Sequence, residues 1–230
     1  MNDPLFHEWR AYQKLVENDY MGHRKFFQRL SREVTARFHE PVRILDLGCG
    51  DTLPMQASLK EINISHYCGI DVSETALAHA GAALAGSGLS HTLINVDILE
   101  ATRSLNDPFD LVIASFCLHH LQDPADKQTL LTRCRRLLQP GGLFLIIDVF
   151  LGENESRDEY LDRFEQQARE NYTSLTDPEM TTLITHVRAC DYPDSVENYR
   201  SFGMQAGFTR VNCLLADYDT LHQLVSFETA

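Results

Sequence analysis

Val42-Arg-Ile-Leu-Asp-Leu-Gly-Cys-Gly50, running on into Asp51-Thr-Leu-Pro-Met55, decides the fold. Val42–Leu47 is a short, largely apolar run of strand length. Gly48 and Gly50 follow it, and a segment over about 52–62 has helical character. A strand, a glycine turn and a helix form a ligand cradle, because the turn exposes backbone N–H groups beside a helix start.

Outward from this stretch the chain alternates. Strands are expected at 67–73, 91–97, 110–116 and 143–150, with helices at 74–85 and 125–138 between them. Near-continuous apolar strands alternating with helices specify a parallel sheet covered on both faces. A helix over 196–206 and two strands, 210–216 and 223–228, close the chain. The last two are close enough to pair as an antiparallel hairpin. The expected architecture is a Rossmann-like α/β fold with seven mostly parallel strands, the last one antiparallel. Four segments make up one domain: a helical N-terminal cap (1–40), a core (41–150), a helical insertion or lid (151–195) and the closing helix with its hairpin (196–230). Within the first segment, Leu5, Phe6, Trp9, Tyr12 and Leu15, then Phe26, Phe27 and Leu30, recur at helical spacing, with a break near Gly22.

The net charge is −13 over 230 residues, which argues against nucleic acid as a partner, since phosphate binding needs a basic footprint. Residues 151–195 hold eleven Asp/Glu against four Arg, and residues 1–40 hold six against seven Lys/Arg. The insertion is therefore either an ordinary solvated surface or an acidic lid over a neutral or cationic substrate. None of the six cysteines forms a C-x-x-C pair; Cys49, Cys68, Cys117 and Cys213 fit small buried thiols of a reducing compartment. With no signal-like or membrane-length apolar run, a cytoplasmic location and no membrane partner are expected.

Asp46, Asp71 and Asp97 stand at or just beyond strand ends, where side chains line a ligand crevice. Asp71 follows Gly50 by 21 residues, the interval at which an acid can hold both hydroxyls of a ribose. A dinucleotide fingerprint would need glycine where Leu53 stands, and Asp51 at the mouth of the turn disfavours an anion. Both departures point to a cationic nucleoside rather than to a nicotinamide cofactor.

Ile44-Leu-Asp-Leu-Gly-Cys-Gly50, Gly69-Ile-Asp71, Asn95-Val-Asp97-Ile98, Phe109–Leu121 and Leu137-Leu-Gln-Pro-Gly-Gly-Leu-Phe144 resemble, in order and spacing, the motifs of class I S-adenosylmethionine-dependent methyltransferases. Thr52 stands where that family's third glycine usually falls. The resemblance implies S-adenosyl-L-methionine as cofactor. By position, Gly48 and Gly50 would cradle its amino-acid part with Asp46 near the ammonium, and Asp71, followed by Val72, would bind the ribose. Asp97 and Ile98 would meet the adenine, and Ser115 and Phe116 the methionine moiety.

Methyl transfer from a sulfonium needs alignment and dryness more than a catalytic group, and proximity alone supplies about 7–11 kcal/mol. Where a base is used, His119 and His120 are the candidates, just past the fourth strand. Tyr20, His23, Asp148, His186 and Tyr192 are candidates for the acceptor pocket. The spacing of His119, His120, Asp148 and His186 demands no metal, and none is expected. The expected activity is methylation of an oxygen or nitrogen atom of a small molecule. An RNA or protein methyltransferase with the same core, and an S-adenosylmethionine-binding enzyme of another reaction type, are the alternatives.

Overall fold

The computed structural model describes residues 9–217 and 221–230; Leu5 and Phe6 lie outside them. The chain begins with α1 (Trp9–Glu17) and α2 (His23–Arg37), then β1 (Val42–Leu47). A single 3-10 turn (Leu53–Met55) leads into α3 (Gln56–Glu61), followed by β2 (Ile64–Asp71), α4 (Glu74–Ala85) and β3 (His91–Asn95). Next come α5 (Ile98–Ser104), β4 (Phe109–Ser115), α6 (Pro124–Leu137) and β5 (Leu138–Leu151). The insertion supplies α7 (Arg157–Asn171) and α8 (Asp177–Cys190). The pair β6 (Asp194–Ser195), α9 (Val196–Ala206), β7 (Arg210–Ala216) and β8 (His222–Glu228) complete the fold.

The sheet order is β3-β2-β1-β4-β5-β8-β7, with β6 appended to the far end of β5. β1 pairs in parallel with β2 and β4, and β4 with β5. β8 runs antiparallel between β5 and β7. The architecture is thus the mostly parallel Rossmann-like sheet that the alternating pattern specifies, and its order reverses at β1, which opens a crevice at the carboxyl ends of β1 and β4.

Local chemistry sets the helix starts. Ser73, Asp97, Asp123 and Ser195 each cap a helix through a side-chain oxygen, and Ser156 with Glu159 forms a capping box. α9 stops at Gly207, whose φ of 92° suits glycine.

Of the boundaries that differ from the sequence reading, three bear on the site or the sheet. β2 begins earlier, at Ile64. β3 ends at Asn95, so Asp97 belongs to the start of α5 rather than to a strand end. β5 begins at Leu138, because Gln139–Gly142 is not a turn before the strand but a bulge within it: Leu138 pairs with Phe109, and Leu143 with Leu111. A Cβ on Gly142 would stand 2.8 Å from the Gln139 carbonyl oxygen, so the bulge needs glycine there.

The core has three parts. α5, α6 and α9 cover one face of the sheet through Leu130, Phe144, Tyr199 and Phe227. α2, α3 and α4 cover the other, where Phe26 and Leu30 are fully buried. A third cluster joins Leu15 of α1 to Tyr160, Phe164, Met180 and Leu183 of the insertion. The N-terminal segment therefore divides: α2 is a helix of the core, while α1 packs with α7 and α8 over the crevice side. Gly22, at φ 66°, makes the corner between them.

The acidic insertion also divides. On its outer face Arg188 meets Asp162 and Glu165, Arg163 meets Glu155, and Lys14 of α1 meets Glu179. Asp191 and Asp194 instead turn inward and are buried. Cys49 and Cys68 are buried as expected, whereas Cys213 is exposed: it lies on the outward side of β7, at the sheet edge. No helix among the described residues is long and apolar enough to cross a membrane.

Candidate active site

The turn after β1 is tightly specified. Gly48 and Gly50 have φ of 67° and 54°. A Cβ on Gly48 would stand 2.6 Å from the Cys117 Cβ, while a Cβ on Gly50 would meet nothing within 4 Å. Gly48 is thus a packing glycine, and Gly50 faces open space. Thr52 also adopts a left-handed conformation, with φ 63°, so threonine takes up the backbone shape that glycine would favour. Asp51 is buried; its Oδ1 accepts from the Leu53 N–H, and the Tyr12 hydroxyl of α1 lies 3.5 Å away. Burial raises the Asp51 pKa above the ordinary carboxylate range, against the pull of these donors.

Asp71 reaches back to the turn, where its Oδ2 accepts from the Gly50 N–H at 2.8 Å and its Oδ1 from the Ser73 N–H. Asp46 lies beneath the turn. Its Oδ2 accepts from the Tyr67 hydroxyl at 2.6 Å, and its Oδ1 is buried with no hydrogen-bond partner. Burial pushes this carboxyl up to about 7; the Tyr67 hydroxyl opposes the shift and the Asp71 charge adds to it. The four residues Asp46, Gly48, Gly50 and Asp71 form one constellation. Val72, exposed and apolar, follows it. Asp97 is exposed, and its Oδ1 caps α5 through the Leu99 and Glu100 N–H groups, beside buried Ile98.

A second constellation lies past β4. The Asp148 carboxylate accepts from the backbone N–H groups of Leu118 and His119, and from His119 Nδ1–H at 2.5 Å. The far side of the same ring, Nε2, lies 3.7 Å from Asp191 Oδ1. The His120 ring tilts against His119 at 4.0 Å between centroids and meets the edge of His186 at 5.7 Å. His120 Nδ1–H donates to the Cys190 carbonyl. Burial works against a charged His119, yet the Asp148 and Asp191 carboxylates outweigh it and hold the ring up at about 9. Burial, and then the neighbouring His119 charge, press His120 down to about 3. Neither ring is poised near neutral pH as a general base: one is already protonated, the other only weakly basic.

Between the two constellations stands Ser115, followed by Phe116 in a left-handed conformation with φ 51°. The Phe116 ring meets His23 at 4.9 Å and His222 at 5.7 Å. His23 is buried with Nδ1 lacking a hydrogen-bond partner; burial and the facing His222 press its pKa down to about 4.

Of the pocket candidates, Asp148 and His186 join the histidines and His23 joins Phe116. The Tyr20 and Tyr192 side chains do not join them. Tyr20 stacks on Tyr172 at 4.4 Å and accepts from the Ser174 N–H, so it fastens α1 to the insertion. Tyr192 reaches the histidines through its backbone: its N–H donates to the His119 carbonyl at 2.7 Å, while its ring lies under the Arg157 guanidinium at 4.3 Å. Two residues escaped the sequence reading. Tyr67, inside a strand, carries no local signal. Asp191 does: it is the C-cap residue of α8, where the helix dipole disfavours an acid.

A family model described as a methyltransferase domain matches residues 45–144. A carboxy-S-adenosyl-L-methionine synthase from Chromohalobacter salexigens is 26% identical over 193 residues, covering 81% of this chain and 68% of that enzyme. A ubiquinone biosynthesis O-methyltransferase from Cereibacter sphaeroides is 34% identical over 109 residues, covering 46% of this chain and 40% of that enzyme. The magnesium protoporphyrin IX methyltransferase of Synechocystis PCC 6803, solved with bound S-adenosylmethionine, shares the fold with a TM-score of 0.65 at 14% identity, over 100% of this chain and 93% of that one. The stretch that holds the glycine turn and its acids thus matches a methyltransferase domain, and the chain as a whole shares the fold of S-adenosylmethionine-dependent methyltransferases.

Proposed function

We propose that the protein methylates an oxygen or nitrogen atom of a small molecule enclosed between β4, β5 and the insertion. The observation that carries this reading is the buried, unpartnered Asp46 Oδ1 beneath a turn whose Gly50 opens onto free space. A buried carboxylate oxygen without a donor is costly, and a cationic ligand on that turn removes the cost. Gly48, Gly50 and Asp46 would hold the amino-acid end of S-adenosylmethionine, Asp71 and Val72 the ribose, and Asp97 and Ile98 the adenine. Ser115 and Phe116 would flank the methionine chain.

The cofactor supplies an activated methyl group, whose S–C bond breaks as the acceptor heteroatom takes the carbon and sulfur keeps the electron pair. The protein's share is alignment and exclusion of water. α1, α7 and α8 close the crevice side with an apolar cluster of their own, which supports an enclosed small acceptor over a polymer. His23 and Phe116 would form the wall nearest the transferred methyl.

One observation favours a second reading. The carboxy-S-adenosyl-L-methionine synthases match over 81–88% of the chain, whereas the O-methyltransferases match over 44–46%. A related role here would be modification of the cofactor itself. A carboxylate-bearing co-substrate would want a cation to spare; Lys127 is committed to Asp194 and the Tyr192 carbonyl, and the His119 ring to Asp148 and Asp191. Methylation is therefore preferred.

Thermal-shift titration with S-adenosylmethionine, S-adenosylhomocysteine and NAD tests the core of the proposal, with stabilisation expected from the first two alone. Asp71→Ala should abolish it. Stabilisation by NAD only, or by none of the three, would refute it. Mass spectrometry of the nucleoside products then separates the readings: S-adenosylhomocysteine for methylation, a carboxylated cofactor for the alternative.

A further inference from the structure

We propose that His119, His120 and Asp191 form a binding site for one divalent transition-metal ion, contrary to the expectation from spacing alone. The inference rests on geometry that the sequence conceals, because Asp191 lies 71 positions beyond His120 and reaches it only through the fold of the insertion. One ligand atom from each of the three residues falls within 4.8 Å of the others. His119 Nε2 and Asp191 Oδ1 are already 3.7 Å apart. Donors around a four-coordinate ion at about 2.0–2.1 Å stand roughly 3.3 Å apart, so the side chains need to close by up to about 1.5 Å.

Three independent features indicate a ligand. Asp191 is only 4% exposed, and its Oδ1 has no hydrogen-bond donor among the described residues. Both histidines are orientated as metal ligands are: Nδ1–H of His119 is held by the Asp148 carboxylate, and Nδ1–H of His120 by the Cys190 carbonyl. Each Nε2 is thereby the nitrogen left to bind, that of His119 once the ion displaces its proton, and such outer partners are the usual companions of ligating histidine. The charge also calls for a cation. Asp148 and Asp191 face His119 from opposite sides; Lys127, the nearest other buried cation, is paired with Asp194. A carboxylate pair flanking a single ring is one positive charge short even if that ring is an imidazolium, and a dication on neutral rings would balance it.

Two imidazoles and one carboxylate select a borderline ion such as zinc, cobalt or nickel over magnesium or calcium, which prefer all-oxygen shells. Three protein ligands leave coordination positions open. His186, edge-on to His120, stands beside them. On the methyltransferase reading proposed above, a hydroxyl-bearing acceptor would take an open position, giving the site a role in holding and acidifying that oxygen.

The test uses the full chain, freed of metal by a chelator and then titrated with Co2+ and Zn2+ without cofactor. One equivalent per chain is expected, with the visible absorption bands of nitrogen- and oxygen-ligated Co2+. Asp191→Asn and His120→Gln should each weaken binding, and Asp148→Asn should weaken it about 10–100-fold through His119. His66→Asn, on the exposed face of β2, should leave it unchanged. Absence of stoichiometric binding to the wild-type chain would overturn the proposal. So would undiminished binding in both Asp191→Asn and His120→Gln; either variant alone suffices if the other fails to fold. S-adenosylhomocysteine stabilisation is measured on the same samples. Metal binding without it retains the ion site and rejects the methyltransferase reading, and the reverse result retains that reading and rejects the ion.

Discussion

The Tyr67 hydroxyl donates a 2.6 Å hydrogen bond to Asp46 Oδ2, and by doing so orients a carboxyl whose other oxygen is buried without a donor. The pair spans β1 and β2 directly under the glycine turn. Tyr67 keeps one oxygen satisfied, so the remaining acceptor is aimed rather than free to rotate.

A pH dependence of cofactor binding follows. Burial raises Asp46 to about 7 in the ligand-free protein. An ammonium ligand binds the ionised carboxylate, so below pH 7 binding must first remove a proton. Affinity for S-adenosylmethionine should therefore fall as pH drops below 7, by at most about tenfold per unit, and flatten above it until the ligand's own α-amino group starts to lose its proton near pH 7.7–8.0 or so. Calorimetric titration across that range checks the slope. Asp46→Asn should bind more weakly at pH 7.5 or so and lose the slope; an unchanged slope in that variant would assign the titration elsewhere.

Gly48 and Gly50 look alike in sequence but differ in what surrounds them. Both have positive φ, so alanine costs each about 1 kcal/mol of backbone strain. Only at Gly48 does the added methyl also collide with the Cys117 Cβ, at 2.6 Å. Gly48→Ala should thus be the less stable variant by a further 1–3 kcal/mol or so. Gly50→Ala should fold with a near-native urea midpoint and yet lose S-adenosylhomocysteine binding, because its methyl enters the open space above the turn. Urea titrations paired with thermal shifts separate the two effects.

Phe116 holds a left-handed backbone that a large side chain adopts reluctantly, at a cost of about 1–2 kcal/mol. Its ring is half-buried and packs against His23 and His222. Phe116→Ala loses the ring contacts and keeps the strain. Phe116→Gly loses the same contacts but relieves it, and should be more stable than the alanine variant by about 1 kcal/mol. At an ordinary position the order would reverse, so the sign alone tests whether the strain is real. Both variants should weaken turnover if Phe116 walls the transferred methyl.

The fold was legible because its determinants are local or periodic. The apolar strands, the Ser and Asp caps and the glycine turn each act within a few residues, and five motifs in register left little freedom for the core. The separation of Asp71 from Gly50 placed that acid at the crevice, though not its hydrogen bond to the Gly50 N–H. The acceptor side was not legible in that way. His119, Asp148 and Asp191 come from three distant segments, and only the packing of α7 and α8 against β5 brings the last to the first. Nor does anything local show that Tyr20 fastens α1 to the insertion, or that the Tyr192 ring lies under Arg157. The bulge at Gln139–Gly142 was hidden because Pro-Gly-Gly reads as a turn, and only the pairing of Leu138 with Phe109 makes it part of β5.

Lys127 gives a last test, of how the Asp191 segment is held. It is 2% exposed, and its ammonium donates to the Tyr192 carbonyl at 2.5 Å and to Asp194 Oδ2 at 3.2 Å. It therefore ties α6 to the loop that follows α8. Lys127→Met preserves the aliphatic stem and leaves Asp194 as a buried carboxylate without its cation, a loss of the kind that costs about 3–5 kcal/mol. Asn198 Nδ2 and the Ser195 N–H still reach Asp194 Oδ1, which places the expectation near the lower end, about 3 kcal/mol. The double variant Lys127→Met with Asp194→Asn removes the stranded charge and should recover part of that loss in urea denaturation. It cannot restore the tie to the Tyr192 carbonyl, so the loop carrying Asp191 stays loosened. Acceptor turnover should remain depressed in the double variant while S-adenosylhomocysteine affinity, which the proposed function assigns to the far side of Phe116, stays near the wild-type value. Full recovery of turnover together with stability would show that Lys127 contributes charge balance alone.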